Sequence, residues 1–61
     1  MEEAIKYLVY RNGDYCEFVA PSSVTKPTSG LSTGLWIETN TGNVSFYDKE
    51  NGWTFQFSLK D

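Results

Sequence analysis

The sequence predicts an all-β fold of five antiparallel strands, formed from hairpins into a small curled sheet, barrel or sandwich, and three observations carry that reading. Turn signals stand at Asn12-Gly13, at "NTGN" over 40–43 and at Asn51-Gly52. Between them lie short runs of aromatic and β-branched residues alternating with polar ones, the period of half-buried strands. The remaining stretch, "APSSVTKPTSGLST" over 20–33, is rich in Pro, Ser, Thr and Gly, which do not pack as a helix or a central strand.

Strands are accordingly expected at 5–11, 14–19, 35–39, 44–49 and 53–59. They divide a single domain, 1–61, into a hairpin (5–19), a crossover loop (20–33) and a three-stranded meander (34–59). The first segment has a second reading as a short helix over 2–8, since "EEAIKYL" holds helix formers. The alternation of Ile5, Tyr7 and Val9 up to the Asn-Gly turn favours the strand. A two-residue loop at Asn12-Gly13 sets Val9 opposite Cys16, Tyr7 opposite Phe18 and Ile5 opposite Ala20, an apolar face. Tyr10 then faces Tyr15 on the other side, beside Leu8 and Glu17.

The same logic at Asn51-Gly52 sets Phe46 opposite Phe57 and Val44 opposite Leu59, while a turn on Thr41-Gly42 sets Ile37 opposite Phe46. An apolar layer follows, with Leu35, Ile37, Val44, Phe46, Phe55, Phe57 and Leu59 as the expected core. Trp36 and Tyr47 fall opposite each other on the second face. Aromatics on a solvated sheet face are favoured interface anchors. Leu8, Tyr10, Tyr15, Trp36 and Tyr47 are therefore the candidate partner or dimer contacts.

The chain has 61 residues, one cysteine (Cys16), no histidine and a net charge of -3. A domain of this size buries only about 60% of its unfolded surface. It has no intrachain disulfide and no four-ligand Cys/His zinc site to help it, so a homodimer is the expected source of further burial. A lone thiol favours a reducing compartment. The amino end lacks a secretory pattern, and no stretch approaches the roughly 18 apolar residues of a membrane span. A cytoplasmic protein with no membrane partner is expected. Five scattered basic residues form no phosphate-binding stripe, which argues against direct binding of nucleic acid.

Catalytic apparatus is not visible. Without histidine, a nucleophile would need a carboxylate or lysine base in reach, and no spacing provides one. Cys16 alternates with Phe18 on the expected core face and reads as a small buried hydrophobe. The glycines stand singly, with no phosphate-cradling run. The carboxylates at Asp14, Glu17, Glu38, Asp48, Glu50 and Asp61 lack the spacing of a calcium loop. No cofactor, no metal and no enzymatic activity are expected.

"GNVSFYDKENGWTFQF", over 42–57, resembles the strand pair near the end of SPRY domains, where a Gly-x-Val-x-Phe-Tyr run precedes a Thr-Phe strand. The likeness covers about a quarter of the chain and implies an aromatic hairpin there. In gross character the chain also resembles small phage and prophage proteins that inhibit a host enzyme or an antiviral defence complex, such as the anti-Hachiman type. That resemblance implies a non-enzymatic, protein-binding inhibitor whose partner is a host or bacterial defence protein. Two alternatives stand beside it: a structural or assembly module, and a binder of sugars or bases that stacks them on Trp36, Tyr47 and Trp53.

Overall fold

The computed structural model describes residues 3–60. A 3-10 turn, Ala4–Tyr7, leads into β1 (Leu8–Asn12), β2 (Tyr15–Ala20), β3 (Thr33–Glu38), β4 (Asn43–Asp48) and β5 (Gly52–Ser58). The five strands form one sheet in the order β1-β2-β3-β4-β5. The fold is all-β, as the turn signals indicate, but two features of the expected architecture are corrected. β2 and β3 run parallel while the other three pairs are antiparallel, so the sheet is mixed. It is also open, with β1 and β5 as its edges, and forms neither a barrel nor a strongly curled sheet.

The parallel step follows from the connection that makes it. Antiparallel neighbours can be joined by two residues, whereas parallel neighbours need a dozen or more to bring the chain back to the starting end. The segment 21–32 provides that length, and it crosses one face of the sheet without becoming a helix. At its end Ser32 N–H donates to Asp14 O in the first hairpin loop (2.9 Å), and beyond β3 Thr39 N–H donates to Ala20 O at the end of β2 (3.0 Å). The Asn40 side chain bonds both the backbone and the hydroxyl of Ser22 (2.9 Å each).

The start of the chain departs from the expected strand. Residues 4–7 form the 3-10 turn, with Lys6 N–H donating to Glu3 O. Local helix propensity thus outweighs the alternation of Ile5, Tyr7 and Val9, because Ala4 and not Ile5 is the residue that the fold buries. Of the rival reading as a helix over 2–8, residue 2 lies outside the described residues.

Neither Asn-Gly turn has the expected geometry. No residue other than glycine has a positive φ among those described, so Asn12 and Asn51 lack the conformation that a type I′ turn requires. In the first hairpin Asn12 pairs with Tyr15, and the loop is Gly13-Asp14. In the last, Asp48 pairs with Gly52 across a three-residue loop. The Asp48 carboxylate organises that loop, accepting from Glu50 N–H (2.9 Å) and Asn51 N–H (2.8 Å), and Gly52 supplies the left-handed residue at φ +71°.

All three hairpin registers differ from those expected. Leu35 and not Ile37 faces Phe46 across β3 and β4, and Phe46 faces Thr54 across β4 and β5. One residue is left unpaired on each edge strand, Val9 on β1 and Gln56 on β5. Both bulges sit where an extra residue twists and blunts an open edge.

The largest correction concerns which face is buried. Successive residues of a strand point to opposite faces, and the covered face carries Cys16, Phe18 and Ala20 from β2, Gly34 and Trp36 from β3, and Tyr47 from β4. Ala4, Val24 and Leu31 close over them from the 3-10 turn and the crossover. Phe18 and Trp36 are the largest side chains with no exposure at all. Their rings lie 5.2 Å apart, and Trp36 meets Trp53 edge-on at 5.9 Å. Cys16 is fully buried, in keeping with its reading as a small hydrophobe. The expected layer of Phe46, Phe55, Phe57 and Leu59 is exposed instead.

A candidate interaction face

The crossover that covers one face leaves the other bare. Irregular chain laid over a sheet presents carbonyl oxygens that need donors once water is excluded, and only some aromatics can supply them. Trp53 Nε1–H donates to Pro27 O (2.8 Å) and the Tyr47 hydroxyl to Thr28 O (3.2 Å). Lys26 Nζ lies 3.1 Å from Glu38 Oε2 and 5.1 Å from the Trp36 ring centroid. The Glu38 carboxyl is held below its usual range, first by the Thr41 hydroxyl and then by Lys26, against the opposing effect of burial. The side chains with polar tips thus turn toward the crossover and Phe46 and Phe57 turn away, while Phe55, opposite Ser45 on the crossover side, is exposed as well.

Three cross-strand rows make up the open face. The central one runs Tyr10, Glu17, Leu35, Phe46, Thr54. On one side of it lies Val19, Ile37, Val44, Phe57, apolar from end to end. On the other lies Tyr15, Thr33, Asp48, Gly52. Phe46 and Phe57 remain 49% and 52% exposed, while Val44, between Ile37 and Phe57, is buried. None of the residues in these rows is basic.

Both carboxylates on this face are engaged within the chain. Glu17 accepts the Tyr15 hydroxyl at 2.6 Å, and this bond is the main reason that the Tyr15 phenol is pushed up to about 12, with burial and the Glu17 charge adding to it. Asp48 is held below the usual carboxylate range chiefly by the Asn51 backbone N–H and side chain. Tyr10 packs against Tyr15 edge-on at 6.2 Å.

The five expected contact residues therefore divide between the two faces. Tyr10 and Tyr15 lie on the open one. Trp36 and Tyr47 are corrected to the core, Trp36 fully buried and Tyr47 nearly so; Leu8 pairs with Phe18 and packs against the same cluster. The three rings considered as stacking platforms pack on one another, Tyr47 and Trp53 at 5.2 Å, and two of them spend their polar atoms on the crossover. Phe46, Phe57, Leu35 and Ile37, which the register argument assigned to the core, are the residues missed as surface. On β3 and β4 the lack of any hydrogen-bonding group in Leu35, Ile37 and Phe46, beside Trp36 and Tyr47 on the alternate positions, is the signal that separates the two faces.

Among the described residues no three His, Cys, Asp or Glu side chains gather where they could hold a metal ion, and no helix is long and apolar enough to cross a membrane. No family model, no curated protein and no solved structure matches the chain. The likeness of 42–57 to SPRY domains thus extends to no family match; the stretch does form an antiparallel aromatic hairpin, β4 and β5.

Proposed function

We propose that this protein works by binding another protein surface, without chemistry of its own, and that the open face of the sheet is the part that binds. The supporting observation is the pair of half-exposed rings, Phe46 and Phe57, set in a field of Val19, Leu35, Ile37 and Val44. A contiguous apolar patch rimmed by polar groups marks an interaction site more often than an idle surface, and rings at its centre are the usual anchors. Tyr10 and Tyr15 extend the patch at the β1 edge with rings that can also hydrogen-bond.

An inhibitor of a host or antiviral defence protein is one form of this reading, resting on the small, acidic character of the chain; an assembly module is the other. Both use the same face. The test is affinity capture from bacterial lysate with the parent chain and with Phe46→Glu as paired baits, each checked for folding by circular dichroism. Proteins held by the parent and released by the folded variant support the proposal. Identical sets on both baits would overturn the assignment of this face.

A further inference from the structure

We infer that the occupant of the open face is a second copy of this chain, packed face to face about a twofold axis to form a two-layer sandwich. The inference rests on the proposed use of that face for protein binding and names the partner.

Domains are built from two or more layers around one core, and here the second layer is a single irregular crossover that covers one side of the sheet. The uncovered side is written like the inner face of a sandwich: along Val19, Ile37, Val44 and Phe57 no polar residue interrupts. Sheets that face water on one side ordinarily place polar residues there. A second identical sheet about 10 Å away satisfies both faces at once.

Area supports the same occupant. The two longer extents of the molecule are 31 and 24 Å, a footprint of roughly 600 Å² in projection, against the roughly 800 Å² of accessible area per partner in a stable interface. Accessible area exceeds projected area on a surface of protruding rings, so the face is of the required size. A ring side chain presents on the order of 200 Å², so Phe46, Phe57 and Tyr10, each about half exposed, offer roughly 300 Å² of apolar contact between them.

Electrostatics and edges point the same way. With no basic residue in the three rows, the face carries no charge that calls for an acidic partner, and its carboxylates, Glu17 and Asp48, already have donors within the chain. A second copy need not neutralise them. Edge-to-edge association is disfavoured by the bulges at Val9 and Gln56, and the open face holds Tyr10, Phe46 and Phe57 as exposed rings against Phe55 alone on the crossover side.

The test is sedimentation equilibrium from low micromolar to a few hundred micromolar, on the parent, on Phe46→Glu and on Val9→Lys. Val9 is more exposed than Phe46 but lies on the edge bulge, so its variant controls for the loss of any exposed apolar group. A parent dimer that Phe46→Glu weakens at least a hundredfold, and that Val9→Lys leaves unchanged, supports the inference. Phe57→Lys replaces Phe46→Glu if the latter loses its circular dichroism signal. A parent that is monomeric throughout, or a dimer indifferent to the face variants, overturns it. The two readings fail separately: a monomeric parent whose lysate partners are released by Phe46→Glu still binds protein through this face, whereas a monomeric parent with unchanged capture loses both.

Discussion

The exchange of faces makes a quantitative claim about two aromatic residues. Trp36 has no exposed surface, and Phe18, Trp53 and Lys26 surround it. Truncating such a residue to Ala costs about 3–5 kcal/mol. At roughly 0.05–0.15 kcal/mol per residue, the total stability of a chain this long is about 3–9 kcal/mol, so Trp36→Ala removes most of it. Phe46 has already left half its surface in water. Complete burial of such a side chain contributes roughly 1.5–3 kcal/mol, so Phe46→Ala should cost the isolated chain only about 1 kcal/mol. Urea melts followed by far-ultraviolet circular dichroism measure both without relying on tryptophan emission. They should be run at low micromolar chain and again at a hundredfold higher concentration, because self-association stabilises the parent by mass action and Phe46→Ala would forfeit that gain. The gap between parent and Phe46→Ala should therefore widen with concentration. If Phe46→Ala is as damaging as Trp36→Ala at the lowest concentration, the assignment of the faces is wrong.

Three further predictions concern the covered face. The buried Trp36 Nε1–H has no hydrogen-bond partner, and leaving such a group unpaired costs about 1–3 kcal/mol; Trp36→Phe should therefore come close to neutral, whereas Trp53→Phe, which strips Pro27 O of its donor, should lower the melting temperature clearly. Gly34→Ala would set a Cβ 2.8 Å from Leu31 Cδ1 and 3.1 Å from Trp53 Cη2, a clash expected to cost about 1–3 kcal/mol, and adding Leu31→Ala should make the double variant less unstable than the two losses combined. Glu38 has its folded pKa lowered, so its contribution to stability is present above the unfolded value and is lost as pH falls through the folded one. Glu38→Gln should accordingly cost about 1 kcal/mol at neutral pH, and acid titration should show the gap to the parent closing only below the ordinary carboxylate range.

Much of the fold could be read from local chemistry, and the errors have local causes. Strand content followed from alternation, and the positions of all five strands came out within a few residues. The hairpin registers did not, because Asn-Gly suggested a type I′ turn where Asp48 captures the backbone of its own loop and Gly13 takes the first loop position. Between β3 and β4 the register differs from the expected one by two residues, which alters the partners but not which residues share a face, whereas the Gln56 bulge parts Phe55 from Phe57 and sets it opposite Ser45; which face of β3 and β4 is buried is a separate choice. That choice belongs to the crossover. In β3 and β4 both faces are apolar enough to form a core, Trp36 and Tyr47 on one and Leu35, Ile37 and Phe46 on the other, so hydrophobicity alone does not separate them. The 21–32 segment decides between them because its carbonyls at Pro27 and Thr28 need the indole and phenol donors. Gly34 gave the same indication, since a glycine within a strand marks the close approach of another part of the chain. Its neighbours, Leu31 and Trp53, lie where the crossover passes.

An open apolar face invites uncontrolled association, and the shape of this molecule limits how far that can go. A twofold contact uses the same patch on both copies and is complete once formed, so pairing through Phe46 and Phe57 leaves, among the described residues, Phe55 as the one exposed aromatic ring on the crossover side, too small a patch to recruit a third chain. The outer surface of such a pair would be the crossover, with Ser22, Lys26 and Asn40 held in hydrogen bonds. Growth would then require the sheet edges. At β1 the unpaired Val9 interrupts the ladder, and at β5 Gln56 does the same in mid-strand, so neither edge offers a long flat template. The pair should therefore be the end point of assembly. Straightening an edge, by deleting Gln56 to remove the bulge, should convert a discrete dimer into larger species detectable by light scattering. If the deletion variant stays folded and remains a dimer at high concentration, the bulges do not guard the edges, and the limit on assembly must lie in the face itself.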